Sequence, residues 1–455
     1  MKFVADLHLH SKYSRAVSQN MTLPNMAHWA RLKGINVIAT GDFTHPFWFD
    51  QLKKELEEAG NGLLRLKSGS DKSKVISDKS DANQEVYFLL SCEVSSIYSQ
   101  GGKVRRIHNL FFFPSLAAVT KFNKKLLGRG VNLRSDGRPI VGIGARDLAE
   151  IALSCDKKAL VIPAHVWTPW FSVFGAFSGF DSIKECFGDM AGYIYGIETG
   201  LSSDPAMNWQ IGDLDKRAIL SFSDAHSLEK MGREATVFEG SSISYQTILD
   251  AIKGTKGPSK IAFTIEFHPE EGKYHFTGHR DCGYSQGPEK SDLSGNTCPV
   301  CKRPLTVGVM DRVAQLKTRN QKLETRNLNG VRWVYHEEEK KPPYVSSVPL
   351  LEILAEALQA GVGTKTVMDQ YMALVNTFGN ELAVLLKAES ERIRQIAGVR
   401  VAEAIDKVRL GNIVVEPGYD GKFGVVKIWQ EKVLATNDQI EKQESAQDSQ
   451  LNLFA

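Results

Sequence analysis

Up to about residue 255, short apolar runs of strand type alternate with segments whose apolar positions recur at the helical period. The pattern predicts strands over 3–10, 35–40, 86–93, 107–113, 160–165, 193–198, 218–224 and 235–238. Helices fit between them at 24–33, 49–58, 116–127, 145–153, 182–187 and 245–253. This alternation predicts an α/β fold, a parallel sheet with crossover helices. Acids and histidines close or follow most of the runs. In a TIM-type barrel the chemistry sits at the carboxyl ends of the strands, so a barrel is expected. An open doubly wound sheet is the alternative, but it would not bring side chains from so many strands together. Farther on, 348–360 reads as an amphipathic helix ended by Gly361, and 364–389 and 390–408 read as two more. A turn-rich stretch at 416–424 leads into a strand at 425–428, with Asp420-Gly421 as its tight turn. Residues 61–84 are nearly devoid of apolar positions and are expected to form a mobile surface loop.

With 455 residues, the chain is too long for one ordinary domain. The expected division is a catalytic barrel over 1–260, a metal-stapled segment over 261–308, a mainly helical module over 309–435 and a tail over 436–455. Hydrophobic residues at 42% and charged residues at 24% describe ordinary soluble composition. A net charge of +3 excludes binding by global basicity, so any nucleic-acid surface must be a local patch. A strand directly after Met1 leaves no signal peptide, and no apolar run is long enough to span a bilayer. The six cysteines are scattered apart from Cys298-Pro-Val-Cys301, which suits a reducing cytoplasm with one metal clip.

The chemistry starts at Asp6-Leu7-His8-Leu9-His10. In an extended chain residues two apart share a side, so a carboxylate and two imidazoles are expected to converge. Downstream, Asp42, Glu93, His108, His165, and Asp224 with His226 close or follow further apolar runs. Buried groups of this kind need partners or a metal, and His and Asp are ligands for zinc, manganese or iron. The stretch 166–180 crowds Trp167, Trp170 and Phe171 with three more phenylalanines directly after His165. It reads either as a satellite core or as a stacking surface for nucleobases. In the middle segment, His279-x2-Cys282 and Cys298-x2-Cys301 have the spacing of a zinc ribbon, a closed structural site. Arg303, Arg312 and neighbouring cations follow it and are expected to meet a nucleic-acid backbone.

The motifs Asp6-Leu-His-Leu-His10, Thr40-Gly-Asp42, Glu93, His108, Pro163-Ala-His165 and Ser223-Asp-Ala-His226 resemble those of the polymerase and histidinol phosphatase (PHP) family. The resemblance implies a distorted barrel carrying up to three metal ions that cleaves phosphoesters. It implies that His8, His10, Asp42, Glu93, His108, His165, Asp224 and His226 are ligands, with Asp42 where many members have histidine. Five residues after His10 the family has Asp or His, and here Arg15 stands. One ion site is therefore expected to be weak or to recruit His45. Arg15 is then a candidate to hold a substrate phosphate, since guanidinium suits oxyanions, and Asp6 joins it as a candidate catalytic group.

Residues 309–428, with Pro417-Gly-Tyr-Asp-Gly421, resemble a module found with UvrD-type helicases. Barrel, ribbon and module in that order resemble the endonuclease Q family. That implies nicking of DNA on the 5′ side of hypoxanthine, uracil, xanthine and abasic sites by a monomer that uses divalent ions (Zn, Mg or Mn) and one structural zinc. The tail ends in Gln450-Leu451-Asn452-Leu453-Phe454, similar to the bacterial sliding-clamp binding peptide. A phosphatase of small monoesters and a non-catalytic repair scaffold are the competing readings. The ribbon, module and tail argue against the first, and the near-complete ligand set against the second.

Overall fold

The computed structural model describes residues 1–68, 85–338 and 340–430. All eight expected amino-terminal strands form, most of them shorter than expected and two, Tyr87–Gln100 and Lys103–Phe113, much longer. Lys2–Asp6 runs parallel to Val37–Ala39, which runs parallel to Tyr87–Gln100. Tyr87–Gln100 then pairs antiparallel with Lys103–Phe113, and that strand antiparallel with Leu160–Pro163. The chain continues through the Val166 N–H donating to the Glu198 carbonyl (3.1 Å) into Gly196–Glu198, parallel to Ala218–Leu220. A parallel bridge between Leu9 and Ala225 closes the circuit. The result is a distorted barrel, and the expectation of an all-parallel sheet is corrected. Residues 101 and 102 are both glycines with positive φ, so Lys103–Phe113 returns as a hairpin and reverses one strand.

Leu89, Phe112, Ile162 and Leu220 from successive strands pack with Phe3 and Ala5. The helix Tyr245–Lys253 seals this cluster with Ile248, Leu249 and Ile252. Apolar burial of this order, about 25 cal/mol per Å², leaves the strand ends free to carry polar groups.

Lys2–Asp6 also pairs antiparallel with Ala235–Glu239, and the sheet runs on through Lys260–Glu266, Tyr344–Ser346 and Val331–His336 to Leu323–Leu328. The expected division at 260/261 therefore falls at the head of a strand tied to the barrel. The segment after 309 also begins with one helix, Val309–Leu316, and three strands before it turns helical. Leu350–Ala357, Lys365–Phe378, Glu381–Leu386, Ser390–Ala397 and Val399–Leu410 form the helical part. The two long helices expected here are each broken at a glycine with positive φ, Gly379 and Gly398. The expected helix over 49–58 ends at Glu55, and 56–58 pairs as a strand with Leu64–Leu66 inside the expected loop. Among the described residues no helix is long and apolar enough to cross a membrane. The clamp-like peptide, Gln450 to Phe454, lies outside the described residues.

Candidate metal centre

At the strand ends, four donor atoms from distant parts of the chain meet. His8 Nε2 lies 3.5 Å from Glu93 Oε2 and 3.4 Å from Asp224 Oδ1; His10 Nε2 lies 3.3 and 3.2 Å from the same two oxygens. A tetrahedral ion with bonds of about 2.0–2.1 Å has ligand–ligand edges of about 3.3–3.4 Å. The four separations between imidazole and carboxylate have the length of such edges. His8 Nε2, His10 Nε2 and Asp224 Oδ1 are fully buried without a hydrogen-bond partner, a costly arrangement that an ion would relieve. Glu93 Oε1 opens a second group, with His108 Nδ1 at 2.5 Å and His165 Nε2 at 3.1 Å. The donor atoms of His10, Asp224 and His226 form a third. Glu93 and His10 are each shared by two groups, so the three form one continuous cluster.

Strand reversal explains two of these positions. Glu93 and His108 sit within long strands rather than at their ends, and the antiparallel register sets His108 opposite Ser95, two residues from Glu93. Asp42, His165 and Asp224 all have positive φ, a conformation that costs a non-glycine residue about 1–3 kcal/mol and gathers at functional sites.

The electrostatics favour ionised carboxylates. Burial would raise the Glu93 pKa, but His108 and Arg138 outweigh it and hold the group well below the usual range. Asp224 is likewise held low against burial by His8, His10 and His226. Burial drives His108 down to about 4 despite Glu93, so its imidazole is neutral at physiological pH and has a lone pair to give.

Two carboxylates orient the imidazoles. Glu198 Oε1 accepts from His8 Nδ1 at 2.8 Å, and its Oε2 accepts from the His165 backbone N–H at 2.8 Å. Asp42 Oδ1 accepts from His10 Nδ1 at 3.1 Å, and its Oδ2 takes Ser11 and Ser14. These contacts assign the Nδ1–H tautomer and point each Nε2 lone pair at the cluster. Asp42 therefore orients His10 and belongs to none of the candidate ligand groups. Glu198 is absent from the sequence reading, although it ends an expected strand. Arg138 was also missed, because Gly137-Arg138-Pro139 carries no periodic signal. Its Nη1 lies 3.1 Å from Glu93 Oε2.

Several expected residues lie elsewhere. The strand ends at Asp6, so the two-residue alternation stops there. The Asp6 carboxylate is taken up by the Ser223 N–H and hydroxyl and the Gly232 N–H, bracing the Asp224 loop. Burial, offset in part by those bonds, raises its pKa to about 6. Arg15 has a side chain 78% exposed and pairs with Asp136. His45 stacks on Tyr13 at 4.5 Å and joins no ligand group. Trp167 is buried, with Nε1 donating to Asn208 and its ring against Phe174, so it belongs to the satellite core. Arg312 is spent on the Phe174 and Phe180 carbonyls and on Asp181, where it ties down the aromatic loop. Trp170 and Phe171 line a cavity of about 880 Å³ beside His108, His165, Asp224 and His226. Arg106, Lys230, Arg233 and Lys273 give that cavity positive walls. Arg303 is exposed on the ribbon.

The donor atoms of His279, Cys282, Cys298 and Cys301 lie within 4.8 Å of one another. The hairpin of Thr277–His279 and Tyr284–Gln286 presents the first pair. The backbone N–H of Cys301, and beyond it that of Val300, draws the Cys298 thiol down to about 6, which favours thiolate. Cys298→Ser is expected to release one zinc per chain and destabilise 275–306 while leaving the barrel ions in place. Metal analysis that finds unchanged zinc in this variant contradicts the assignment.

A family model described as the MJ0043 C-terminal domain matches residues 349–412, and one described as PHP-associated matches 219–256. The chain is 30% identical over 436 residues to the uncharacterized protein YqxK of Bacillus subtilis, covering 94% of this chain and 99% of that one. It is 30% identical over 276 residues to the uncharacterized protein MJ0043 of Methanocaldococcus jannaschii, of which it spans 32%. Among solved structures, it is similar to the lesion-specific endonuclease Q of Pyrococcus furiosus, with a TM-score of 0.78, 32% identity and coverage of 97% of this chain and 99% of that one. It matches equally an endonuclease Q complex with a 27-mer duplex substrate that has an abasic lesion at the active site, with a TM-score of 0.79, 33% identity and coverage of 96% and 98%.

Proposed function

The chain belongs to the endonuclease Q family, and from that premise we propose that it is a metal-dependent DNA repair endonuclease that nicks one strand 5′ to an abasic site or a deaminated base such as uracil, hypoxanthine or xanthine. The observation that carries this reading is the convergence of His8, His10, Glu93 and Asp224 beside an open cavity with aromatic and cationic walls. The duplex complex of the similar endonuclease Q supports it.

His8, His10 and Glu93 would hold one divalent ion, with Asp224 Oδ1 close to both imidazoles, and Glu93, His108 and His165 a second. Bound there, such ions acidify a water and neutralise charge on the phosphate. Glu198 and Asp42 keep His8 and His10 in the tautomer that can ligate. The extruded nucleotide enters the cavity between Phe171 and Trp170; Phe171 packs on His108 (4.8 Å) and Trp170 stacks on Phe177 (4.9 Å). Arg106 and Lys273 meet the flanking phosphates.

Arg138 takes the part first expected of Arg15. One of its N–H groups reaches Glu93, and the remaining donors of its fork are available to a non-bridging phosphate oxygen. Arg138→Ala is expected to lower kcat by about a hundredfold with metal content kept, in line with loss of a preorganised donor. Arg138→Lys should recover part of it. An unchanged kcat contradicts this role.

The decisive experiment incubates the protein with duplexes carrying uracil, hypoxanthine or an abasic site, in Mg2+, Mn2+ or Zn2+, and maps the break. A single nick on the 5′ side of the lesion, abolished by EDTA and absent from undamaged duplex, is expected. Intact lesion duplexes in every metal overturn the reading.

The tail is proposed to bind a bacterial sliding clamp through Leu451, Leu453 and Phe454. Burial of these side chains is worth a few kcal/mol at about 25 cal/mol per Å², so micromolar affinity is expected after ordering costs. Deleting 450–455 should leave nicking of short duplexes intact and abolish co-elution with the clamp. Absence of saturable binding by a labelled 445–455 peptide counts against it.

A further inference from the structure

Drawing a nucleotide out of a duplex leaves a gap in the stack and an orphaned base opposite. Proteins that unstack DNA commonly fill such a gap with an apolar side chain. This chain holds one in a suitable place. Phe423 is 63% exposed, yet it lines the same cavity as His165 and Asp224. Its ring is at the rim, near the Lys273 ammonium (5.8 Å from the ring centroid), whereas Phe171 lies inside against His108.

An exposed phenylalanine on a floppy loop would mean little, but here the support is rigid. Residues 419–422 form a tight turn closed by paired backbone bonds between Tyr419 and Lys422. Asp420 and Gly421 have φ of 45° and 82°, the left-handed pair that such a turn requires. The Asp420 carboxylate accepts from the Arg280 N–H at 2.7 Å and the Thr306 hydroxyl at 2.6 Å, which fastens the turn to the ribbon. On either side, Gly418 N–H donates to the Glu270 carbonyl and Gly424 N–H to the Glu271 carbonyl. A side chain at Gly424 would strike the Glu270 carbonyl, so the backbone beside Phe423 lies flush on its support. The fold thus fixes a bare aromatic ring at the mouth of the catalytic cavity, with the Lys273 ammonium beside it for a phosphate.

We propose that Phe423 is the wedge that enters the duplex stack as the damaged nucleotide leaves it, and that the 417–424 turn is the mount that aims it. The inference rests on the reading of the chain as a lesion-specific nuclease, and it assigns the turn a role in opening the duplex rather than in cutting the strand.

The test compares one lesion in two contexts. Uracil in a duplex and in the corresponding single strand are offered to the unaltered protein, Phe423→Ala and Phe423→Trp. Phe423→Ala is expected to lose at least tenfold more kcat/KM on the duplex than on the single strand, where there is no stack to open. Phe423→Trp should restore the duplex reaction. With 2-aminopurine opposite the lesion, binding by the unaltered protein to an uncleavable duplex should change its fluorescence, and Phe423→Ala should blunt the change. Equal losses on both substrates, with an unchanged melting temperature, would make Phe423 a pocket wall and overturn the wedge. No loss on either overturns it as well. An abasic site is offered in the same two contexts, and failure of the unaltered protein to cut either lesion in either context fells the nuclease reading itself, an outcome that no property of the variants can imitate.

Discussion

Replacing Glu93 by alanine is expected to lower lesion nicking by at least about a thousandfold, or ~4 kcal/mol in the barrier. Its two oxygens face different groups, Oε2 toward His8 and His10 and Oε1 toward His108 and His165. Loss of one side chain therefore strips a ligand from both candidate ion positions. It also leaves Arg138 without its carboxylate partner. His226→Ala touches one group and should cost less. Metal analysis of Glu93→Ala should show the barrel ions lost and the ribbon zinc retained, with far-UV circular dichroism unchanged. Near-normal turnover at saturating metal in a folded Glu93→Ala protein would remove this cluster as the reaction centre.

Stability should respond most to Glu381. Lys33, at the end of the helix Leu23–Lys33, meets Glu381 of the helical part at 2.8 Å, with both side chains almost fully buried. The same carboxylate accepts from the Tyr371 hydroxyl at 2.8 Å and from the Leu350 N–H at 3.1 Å, where it caps a helix. Glu381→Leu leaves an ammonium, a phenol and an N–H buried and unpaired. Breaking such a pair costs about 3–5 kcal/mol. Lys33→Met leaves the carboxylate two of its three donors and should cost distinctly less. Denaturant titration of both variants checks the order, and a larger loss for Lys33→Met contradicts the account. A destabilised Glu381→Leu protein should also lose the docking of barrel to helices, since Leu32 and Trp29 pack in the same cluster.

The strands of the barrel were legible because each is an apolar run bounded by polar or turn residues, and burial of such a run is decided locally. The same holds for the ribbon, since spacing alone brings His279, Cys282, Cys298 and Cys301 together on two short turns. The motif residues His8, His10, Glu93, His108, His165, Asp224 and His226 were legible as candidates and do converge. The roles of others were not. Asp6 and Asp42 carry the same carboxylate as Asp224, yet each is consumed by neighbouring hydroxyls and N–H groups. Trp167 and Trp170 are three residues apart, one buried in a core and one facing a cavity.

What the sequence by itself determined is therefore the set of elements and the inventory of possible ligands. Apolar period, glycine placement and ligand spacing are properties of neighbouring residues and need no knowledge of distant ones. What only the tertiary structure decided is which groups are spent and which are free. It set Arg138 against Glu93 and Arg15 against Asp136, and gave Glu198 to His8. It also left Phe423 bare at the cavity mouth, because hydrogen-bond saturation and exposure depend on partners as far as 45 and 190 residues away, which become neighbours only once the barrel closes.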